Sequence, residues 1–581
     1  MRETTPIALP GLASEKTFLD SAPTLSVHDE EAQYISQARV RIIMGVVIFG
    51  LVFVLLISRL AEVSLLRAPK SFLPIAANEV KTRADIVDRN GELLAASLET
   101  YSLHADPRKV WDAVASTEAI TSVLPDLDPA IVEERLTSGK SFVWIKRNLT
   151  PKERQQVFAL GLPELSFQIE PKRVYPRGRL AAHVLGFTDI DLNGTAGAER
   201  AFDKRLSAKG ADPIKLSIDM RVQFALEDEL DAGMDKFQSL AASGVVLNIK
   251  TGEILAMASL PDFDPNRSGT ALSNNRLNRA SYQLYELGST FKPITIALGH
   301  ETGVVKDGEK LPVHKKMVIQ TKPIVDDHPV YEPLGVYDVL AQSSNRGATI
   351  IALRAGAEAQ QDLLRRLGLF ARVPMELKES ASPLYTREWQ DITTATVSYG
   401  HGISVTPLAL ATALATLLNG GHYITPTIEK HKIGQAIKSR RAVSAATSKH
   451  VVDTMRYVVT NGTGRNAEVE GYELMGKTGT AEKLINGAYD KKRLVTSFVA
   501  AFPYNDPRYL VYIMYDEPKA YAGSWGYATA GWNAAKTAGA VTERIAPVLG
   551  VKKVVKTAAL GTALETGLET DLEEAKTGGT Q

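Results

Sequence analysis

The feature that most constrains this chain is an uncharged apolar run near its start, residues 42–58, with the sequence IIMGVVIFGLVFVLLIS. At about 1.5 Å per residue, a helix of this run is roughly 25 Å long, close to the hydrocarbon thickness of a bilayer. Arg41 and Arg59 flank the run and can reach the two interfaces. The segment that follows, RLAEVSLLRAPK, is a poor match to the cleavage site of a secretory signal. The run therefore predicts a single uncleaved transmembrane helix over residues 41–61.

The charges beside this anchor leave its orientation open. Arg39 and Arg41 precede the run, whereas Arg59, Arg67 and Lys70 follow it. The positive-inside rule needs an asymmetry between the two flanks, and these flanks provide none. The side of the membrane that holds the rest of the chain must therefore be inferred from the chemistry that the chain performs.

The composition excludes several classes of protein. The 581 residues are 44% hydrophobic and 23% charged, which is typical of a folded chain with more than one domain. The net charge of +1 gives no sign of nucleic-acid binding. The chain has no cysteine, which removes disulfides, thiolate nucleophiles and cysteine metal sites. Its ten histidines form no His-Glu-x-x-His pair, so neither a metal nor another cofactor is predicted.

Two segments outside the anchor lack the pattern of a folded domain. Residues 1–40 are rich in proline, serine and acidic residues without apolar periodicity, which predicts a flexible tail. Residues 551–581 are rich in threonine, glycine and glutamate, and we expect them to be disordered. The folded part is therefore predicted to begin after the anchor and to end near residue 550.

The first part of that folded region, residues 62–215, predicts a mixed domain of strands and short helices. The segment ADIVDRNGELLAASL alternates apolar and polar residues around Asn90-Gly91, a dipeptide that favours a hairpin turn. The segment PKERQQVFALGL predicts a short helix that ends at Gly161.

A second and larger domain is predicted for residues 216–550. Helical spacing from Arg221 to Phe237 precedes two predicted strands, 245–249 and 254–258, which a KTGE turn connects. A long helical block follows, and the segments RLVTSFVAAF and RYLVYIMYDE predict late strands. Strand pairs on both sides of a helical block are typical of an α+β fold with helices packed on an antiparallel sheet.

The stretch ELGSTFKP contains the one Ser-x-x-Lys pattern of the chain, at Ser289 and Lys292. A serine hydroxyl needs a base to become a nucleophile at neutral pH. Residues three apart on a helix project from the same face, so the lysine amine is within reach of the hydroxyl. A lysine acts as a base only when burial or a second cation lowers its pKa. Lys477 can be that cation if the fold brings it close.

Two Ser-x-Asn patterns compete for a place beside this pair. The pattern at Ser343 and Asn345 lies in a loop that enters a predicted helix, whereas the pattern at 273–275 lies in a polar turn. The first is the better candidate because it lies 343 − 289 = 54 residues after Ser289 and directly before a predicted helix. The second is more simply a solvated loop.

Three Lys-Thr-Gly tripeptides are also present, and only one is placed to line the edge of a sheet. That copy is 477–479, which follows Gly476 and precedes a predicted strand pair. The copy at 250–252 lies in a hairpin turn, where Thr-Gly is ordinary turn chemistry. The copy at 576–578 lies in the predicted disordered tail.

The order and spacing of the selected motifs resemble the penicillin-binding serine D,D-transpeptidase superfamily. Five segments extend the resemblance to class B penicillin-binding proteins: RADIVDRNGELLAASL, RVYPRGRLAAHVLGFTDIDLNGTAGAERAFD, NIKTGEILAMASLPDFDPN, YGHGISVTPLALA and MGKTGTA. With the anchor, residues 40–550 are similar to the division-specific peptidoglycan transpeptidases. The resemblance implies that residues 62–215 form an elongated pedestal, of the penicillin-binding protein dimerisation type, that carries the transpeptidase domain. Leu287 and Ala84 stand where the family often has proline and glycine, which concerns only the local backbone.

The resemblance implies a role for each residue of the set. The implied catalytic residues are Ser289 as nucleophile, Lys292 as base, and Ser343, Asn345 and Lys477 around them. The implied substrate-binding residues are Thr478, Gly479 and Thr480. The backbone N–H groups of Ser289 and Thr480 would form the oxyanion hole.

The same resemblance implies a substrate, partners and a location. The chain would cross-link peptidoglycan stem peptides at the division septum through a serine acyl-enzyme, and β-lactams would acylate the same serine. Its partners would be a septal glycan polymerase and other division proteins, and it would bind no nucleic acid. Because the substrate lies outside the cytoplasmic membrane, the N-terminus would be cytoplasmic and the catalytic domain periplasmic, with one helix in the inner membrane.

Three alternative functions remain open from the sequence. A transpeptidase of side-wall elongation would carry the same motifs. A membrane-anchored hydrolase, either a D,D-carboxypeptidase or a β-lactamase, would share the acylating residues, but no glutamate in an obvious loop motif offers itself as the base for efficient deacylation. A non-catalytic division scaffold or a β-lactam sensor would not need all three motifs intact.

Overall fold

The computed structural model describes residues 27–61, 83–306 and 308–554 of the chain. The first range and the residues from 83 onward belong to two separate compact units. The predicted tail 551–581 lies outside the described residues except for its first four positions, and the predicted tail 1–40 lies outside them up to residue 26.

The first unit contains one long helix, Val27–Ala61. Within it, Arg39–Leu60 has a mean hydropathy of 2.9 and no part buried, so it is long and apolar enough to cross a membrane. This confirms the predicted apolar helix. The prediction of a flexible tail up to residue 40 is wrong for residues 27–40, because the helix continues through this acidic and polar segment without a break.

The residues from 83 to 215 form a mixed sheet with helices on its flanks. Its strands are Ile86–Val87, Leu93–Ala105, Val143–Leu149, Leu165–Val174 and Ile214–Lys215. The helices are Ala113–Val123, Pro129–Leu136, Pro151–Ala159, Ala182–Leu185, Gly197–Ala201 and Asp203–Leu206. The hairpin at Asn90-Gly91 and the helix before Gly161 are both present, as predicted, and both glycines have a positive φ.

A buried ion cluster holds this mixed region together. Glu199 is fully buried, and its carboxylate accepts hydrogen bonds from the Nε–H groups of Arg83 at 2.6 Å and Arg173 at 2.7 Å. The Arg83 guanidinium also donates to Asp203 and to the backbone oxygen of Leu192. Since a buried carboxylate is stable only with such partners, the acidic segment around Glu199 has a structural role here.

The larger region is built on a five-stranded antiparallel sheet. In spatial order its strands are Met475–Ile485, Ala488–Phe502, Tyr509–Asp516, Ala241–Asn248 and Ile254–Leu260. The strand Met475–Ile485, called the edge strand below, has only one neighbour within this sheet. The α+β architecture with an antiparallel sheet is as predicted, although the Lys-Thr-Gly copy 477–479 lies inside a strand and not before one.

Helices cover both faces of this sheet. Met220–Phe237 and Ala534–Val548 pack on one face, and the fully buried Pro407–Leu418 packs on the other. The strand Tyr509–Asp516 shows the cause, because its apolar side chains alternate between the two cores. The remaining helices are Lys292–Glu301, Val336–Ala341, Asn345–Ala355, Ala357–Arg366, Asp391–Val397 and Ala445–Asn461. Short strand pairs interrupt the helical block: Lys310–Leu311, Met317–Ile319, Lys322–Ile324, Leu334–Gly335, Leu384–Tyr385, Ile403–Ser404, His422–Ile424 and Ser439–Arg441.

Candidate active site

The Ser-x-x-Lys pair lies at the junction of two helical turns. Ser289 is in the 3-10 turn Gly288–Phe291, and Lys292 begins the helix Lys292–Glu301. Pro293 fits there because the first N–H groups of a helix have no partner within it. The turn presses on the edge strand, since a side chain at Gly479 would meet the Leu287 oxygen at 2.7 Å. The serine is thereby carried to the open edge of the sheet.

The amine of Lys292 is surrounded by four polar atoms. Its Nζ lies 2.9 Å from the Ser289 hydroxyl, 2.7 Å from Oδ1 of Asn345 and 2.5 Å from the backbone oxygen of Ser343. The Ser343 hydroxyl is at 3.1 Å. Two of these atoms are carbonyl oxygens, which only accept hydrogen bonds. A neutral amine can donate to both and still accept the proton of Ser289, which is what a base requires.

Burial supports this neutral form of Lys292. The side chain is 1% exposed, and burial lowers its pKa to about 7, partly opposed by the negative charges of Asp327 and Asp326. Lys477 is fully buried, and burial followed by the charge of Lys292 lowers its pKa well below the ordinary value. The structure thus brings together the two lysines as the sequence predicted.

Ser343 lies between the two lysines. Its hydroxyl is 3.1 Å from the Nζ of Lys292 and 3.0 Å from the Nζ of Lys477. Its backbone has a φ of +59°, a left-handed conformation that serine adopts rarely. The next residue fixes this turn, because the Ser344 hydroxyl accepts from the N–H of Gly347 and donates to Asp326. A proton can pass through Ser343 in either direction.

Asn345 is fixed by the same loop. Its Nδ2 donates to the backbone oxygen of Val325 at 2.9 Å, which leaves Oδ1 directed at Lys292. It begins the helix Asn345–Ala355, so the prediction of a loop that enters a helix is confirmed.

The edge strand supplies the other wall of the site. The Nζ of Lys477 contacts the oxygen and the hydroxyl of Thr478 at 2.9 and 3.2 Å. The hydroxyl of Thr478 also lies 2.7 Å from that of Thr463. The hydroxyl of Thr480 accepts from the backbone N–H of Ala530 at 3.2 Å. The hydroxyl oxygens of Thr478 and Thr480 therefore each accept a hydrogen bond from the protein. Both lie on the strand where substrate binding was predicted.

The rival copies of the motifs lie elsewhere. Lys250 pairs with Asp506 at 3.2 Å on a hairpin turn, and Asn274 contacts Arg279. The copy at 576–578 lies outside the described residues. The selection made from sequence context agrees with this placement.

The YGHG segment, residues 399–402, also lies beside the serine turn. From the sequence it was noted only as part of the family resemblance. Gly400 lies against the serine turn so closely that a side chain there would meet the Gly288 oxygen at 2.2 Å. The next residue, His401, packs its ring on Tyr489, whose hydroxyl donates to Glu286 at 2.9 Å. Burial lowers the pKa of His401, partly opposed by the negative charge of Glu286. The YGHG segment therefore shapes the backbone next to the nucleophile.

The candidate site is made of hydroxyl, amine and amide groups. No group of three or more histidine, cysteine, aspartate or glutamate side chains could hold a metal ion among residues 27–61, 83–306 and 308–554. What the arrangement can do is activate a hydroxyl with a buried amine and pass a proton through a second hydroxyl. Together with the antiparallel sheet, this defines a penicillin-binding serine acyltransferase.

Comparison with known proteins agrees with this class. Residues 242–536 match the model of the penicillin-binding protein transpeptidase domain, and residues 78–214 match that of the penicillin-binding protein dimerisation domain. The chain is 43% identical over 483 residues to a probable peptidoglycan D,D-transpeptidase FtsI of Caulobacter vibrioides, covering 81% of this chain and 82% of the relative. It is 30% identical to the FtsI of Escherichia coli K12, covering 85% and 89%.

A solved structure shows the same fold. Penicillin-binding protein 3 of Mycobacterium tuberculosis, in complex with aztreonam, superposes with a TM-score of 0.65 at 24% identity, over 81% of this chain and 97% of that one. The chain belongs to the FtsI-type peptidoglycan D,D-transpeptidases, which are class B penicillin-binding proteins. The resemblance drawn from the sequence motifs is confirmed.

Proposed function

We propose that this enzyme cross-links peptidoglycan stem peptides at the division septum through an acyl-enzyme on Ser289. The observation that carries the proposal is the 2.9 Å contact between the Ser289 hydroxyl and the buried amine of Lys292. A buried amine with a pKa of about 7 can take the hydroxyl proton at neutral pH. The names of the FtsI relatives support the septal role.

The proposed reaction has two acyl transfers. Lys292 removes the proton as Ser289 attacks the carbonyl carbon of the D-Ala-D-Ala bond, and Ser343 passes that proton from Lys292 to the departing amine, so that the C–N bond breaks and D-Ala leaves. A neighbouring stem amine then attacks the ester, a new amide forms, and its proton returns through Lys292 to Ser289. Asn345 holds the Lys292 amine, and Lys477 supplies the nearby positive charge. The N–H groups of Ser289 and Thr480 would stabilise the oxyanion.

The substrate carboxylate would lie on the edge strand. The hydroxyls of Thr478 and Thr480 can both donate to it, and Gly479 lets the serine turn approach the strand closely. β-Lactams carry a carboxylate in a similar place and would acylate Ser289. Because stem peptides lie outside the cytoplasmic membrane, we place the N-terminus in the cytoplasm and the catalytic region in the periplasm.

The location gives the proposed partners. One helix in the inner membrane would put the catalytic region beside a septal glycan polymerase and other division proteins. Depleting the protein in its own cell tests this role, because loss of a septal enzyme gives filaments without completed septa. Rounded cells would instead indicate a role in elongation.

The chemical step is tested with full-length protein in detergent. The intact mass is measured with and without benzylpenicillin, for the wild type and for Ser289→Ala. We expect a stable increase of one drug mass in the wild type and none in the variant. Consumption of the drug without an adduct would indicate a hydrolase, and an adduct on Ser289→Ala would contradict the assignment of the nucleophile.

A further inference from the structure

A threonine outside the three motifs contacts the substrate-binding wall. Thr463 follows the helix Ala445–Asn461 in the turn NGTG. Its hydroxyl is 2.7 Å from that of Thr478, and its backbone N–H donates to the oxygen of Ala341 at 3.2 Å. Ala341 ends the helix Val336–Ala341, just before Ser343. Thr463 therefore connects the element that carries Ser343 to the edge strand.

The backbone beside Thr463 packs closely against the helix Val336–Ala341. A side chain at Gly462 would meet the oxygen of Ala341 at 2.6 Å and its Cα at 2.9 Å. The turn is thus pressed directly against the end of that helix. This close approach places the Thr463 hydroxyl at the edge strand and limits its freedom to point elsewhere. Within the described part of the chain, Thr478 is its one hydrogen-bond partner.

The single hydroxyl hydrogen of Thr478 determines which residue donates in the contact between Thr463 and Thr478. A hydroxyl has one hydrogen to donate and two lone pairs. The amine of Lys477 donates to the hydroxyl oxygen of Thr478 at 3.2 Å. A carboxylate only accepts, so Thr478 must give its single hydrogen to the substrate. Thr463 must then be the donor in the 2.7 Å contact, because Thr478 has no second hydrogen.

The neighbouring threonine shows the same arrangement with a backbone donor. The hydroxyl of Thr480 accepts from the N–H of Ala530 at 3.2 Å, which leaves its hydrogen free as well. Both hydroxyls on the wall of the edge strand are therefore supplied with a donor from outside the strand. For Thr480 the donor is a backbone N–H, which can only donate, so the direction of the hydrogen bond is fixed. For Thr478 the donor is a side chain that can be removed.

We propose that Thr463 is a positioning residue for the terminal carboxylate of the donor peptide, acting through Thr478. It donates its hydrogen to Thr478 and so directs the Thr478 hydrogen to the carboxylate. Each hydrogen bond in such a chain polarises the next one, so the carboxylate is held more strongly than by Thr478 alone. The inference rests on the proposed function, since it assumes that a carboxylate binds on the edge strand.

The test compares Thr463→Val, which keeps the shape and removes the hydroxyl, with Thr463→Ser, which keeps the hydroxyl. Acylation of the full-length protein is followed by intact mass over a range of concentrations, with benzylpenicillin and with its methyl ester. For the free acid, we expect Thr463→Val to raise the half-saturating concentration about tenfold, within the range for hydrogen bonds to charged groups. The limiting acylation rate should change less than about threefold.

The methyl ester separates positioning from a general loss of structure. It lacks the anionic carboxylate, so we expect Thr463→Val to change its acylation less than about twofold, a shift equivalent to under half a kcal/mol. Thr463→Ser should restore the wild-type value for the acid. Thr460→Val, at an exposed position of the preceding helix, is the matched control and should behave as the wild type.

Three results would overturn the proposal. These are an equal loss for acid and ester, a loss that serine does not restore, and no loss at all. Failure of the proposed function is seen separately, because it would appear as an adduct on Ser289→Ala, or as consumption of the drug by the wild type without an adduct, whatever the Thr463 variants do.

Discussion

The amines of Lys292 and Lys477 converge on one hydroxyl, that of Ser343, at 3.1 and 3.0 Å. Both side chains are buried, and two ammonium groups at this separation would repel each other strongly. The contacts indicate how one proton is shared. Lys477 faces three acceptors, namely the Ser343 hydroxyl and the two oxygens of Thr478, which match the three hydrogens of an ammonium. Burial lowers the pKa of both amines, and a charge on either one disfavours a charge on the other. Because its three acceptors stabilise the charged form, we infer that Lys477 keeps the proton and Lys292 is the neutral base.

The first prediction concerns the pH dependence of acylation. With the pKa of Lys292 lowered to about 7 by burial, the neutral base is lost as the pH falls through that value. The second-order rate constant for benzylpenicillin should therefore be level above about pH 8 and fall about tenfold per pH unit well below 7. Intact mass against time, from pH 5.5 to 9, measures it. A level profile over the whole range would show that Lys292 is not the titrating base.

The second prediction concerns the charge on Lys477. Replacing it by methionine keeps the bulk and removes the cation that disfavours a second charge, so the pKa of Lys292 should rise. We expect the midpoint of the acylation profile to move up by about one pH unit or more in Lys477→Met, with a lower rate at pH 7.

Lys483→Met is the matched control for that variant. Lys483 is on the same edge strand, but it pairs with Asp516 at 2.8 Å and Glu517 at 2.9 Å, and neither belongs to the site. Its midpoint should equal that of the wild type. An unmoved midpoint in Lys477→Met would mean that the second cation does not tune the base.

The structure brings the predicted catalytic residues together, and they could be selected from the sequence because the order of their motifs along the chain is distinctive. The choice of Lys477 over Lys250 used only local context, and hairpin turns and sheet edges are local features. The bond between Thr463 and Thr478 could not be foreseen in this way. NGTG in isolation predicts a turn, and its contact with the edge strand depends on a tertiary approach at Gly462.

Two other features also escaped prediction for physical reasons. Ser343 has a φ of +59°, and serine has no preference for that conformation, so only its surroundings impose it. Glu286 lies three residues before the nucleophile, and the sequence motifs assign it no role. Its carboxylate instead accepts from the N–H of Gly402 at 2.9 Å and from the hydroxyl of Tyr489, on segments far along the chain.

The third prediction concerns a partly buried carboxyl between the two folded regions. Glu227 lies on the helix Met220–Phe237 and accepts from the N–H of Ala181 at 2.9 Å and from Gln223 at 2.7 Å. Burial raises its pKa to about 7, with Asp262 raising it and Arg179 opposing this. A carboxyl whose pKa is higher in the folded state favours folding when protonated. Stability is therefore lost as the pH rises from about 4.5 through 7.

Glu227→Gln should remove that loss, because the amide oxygen accepts the same two hydrogen bonds and never becomes charged. We expect the variant to be more stable than the wild type at pH 8, by about 1–3 kcal/mol, and about equal at pH 5. Thermal unfolding at the two pH values measures the difference. Glu133→Gln, at an exposed carboxylate, should show no such change with pH. A stabilisation of Glu227→Gln that is the same at both pH values would show that the pKa of this carboxyl does not differ between the folded and the unfolded protein.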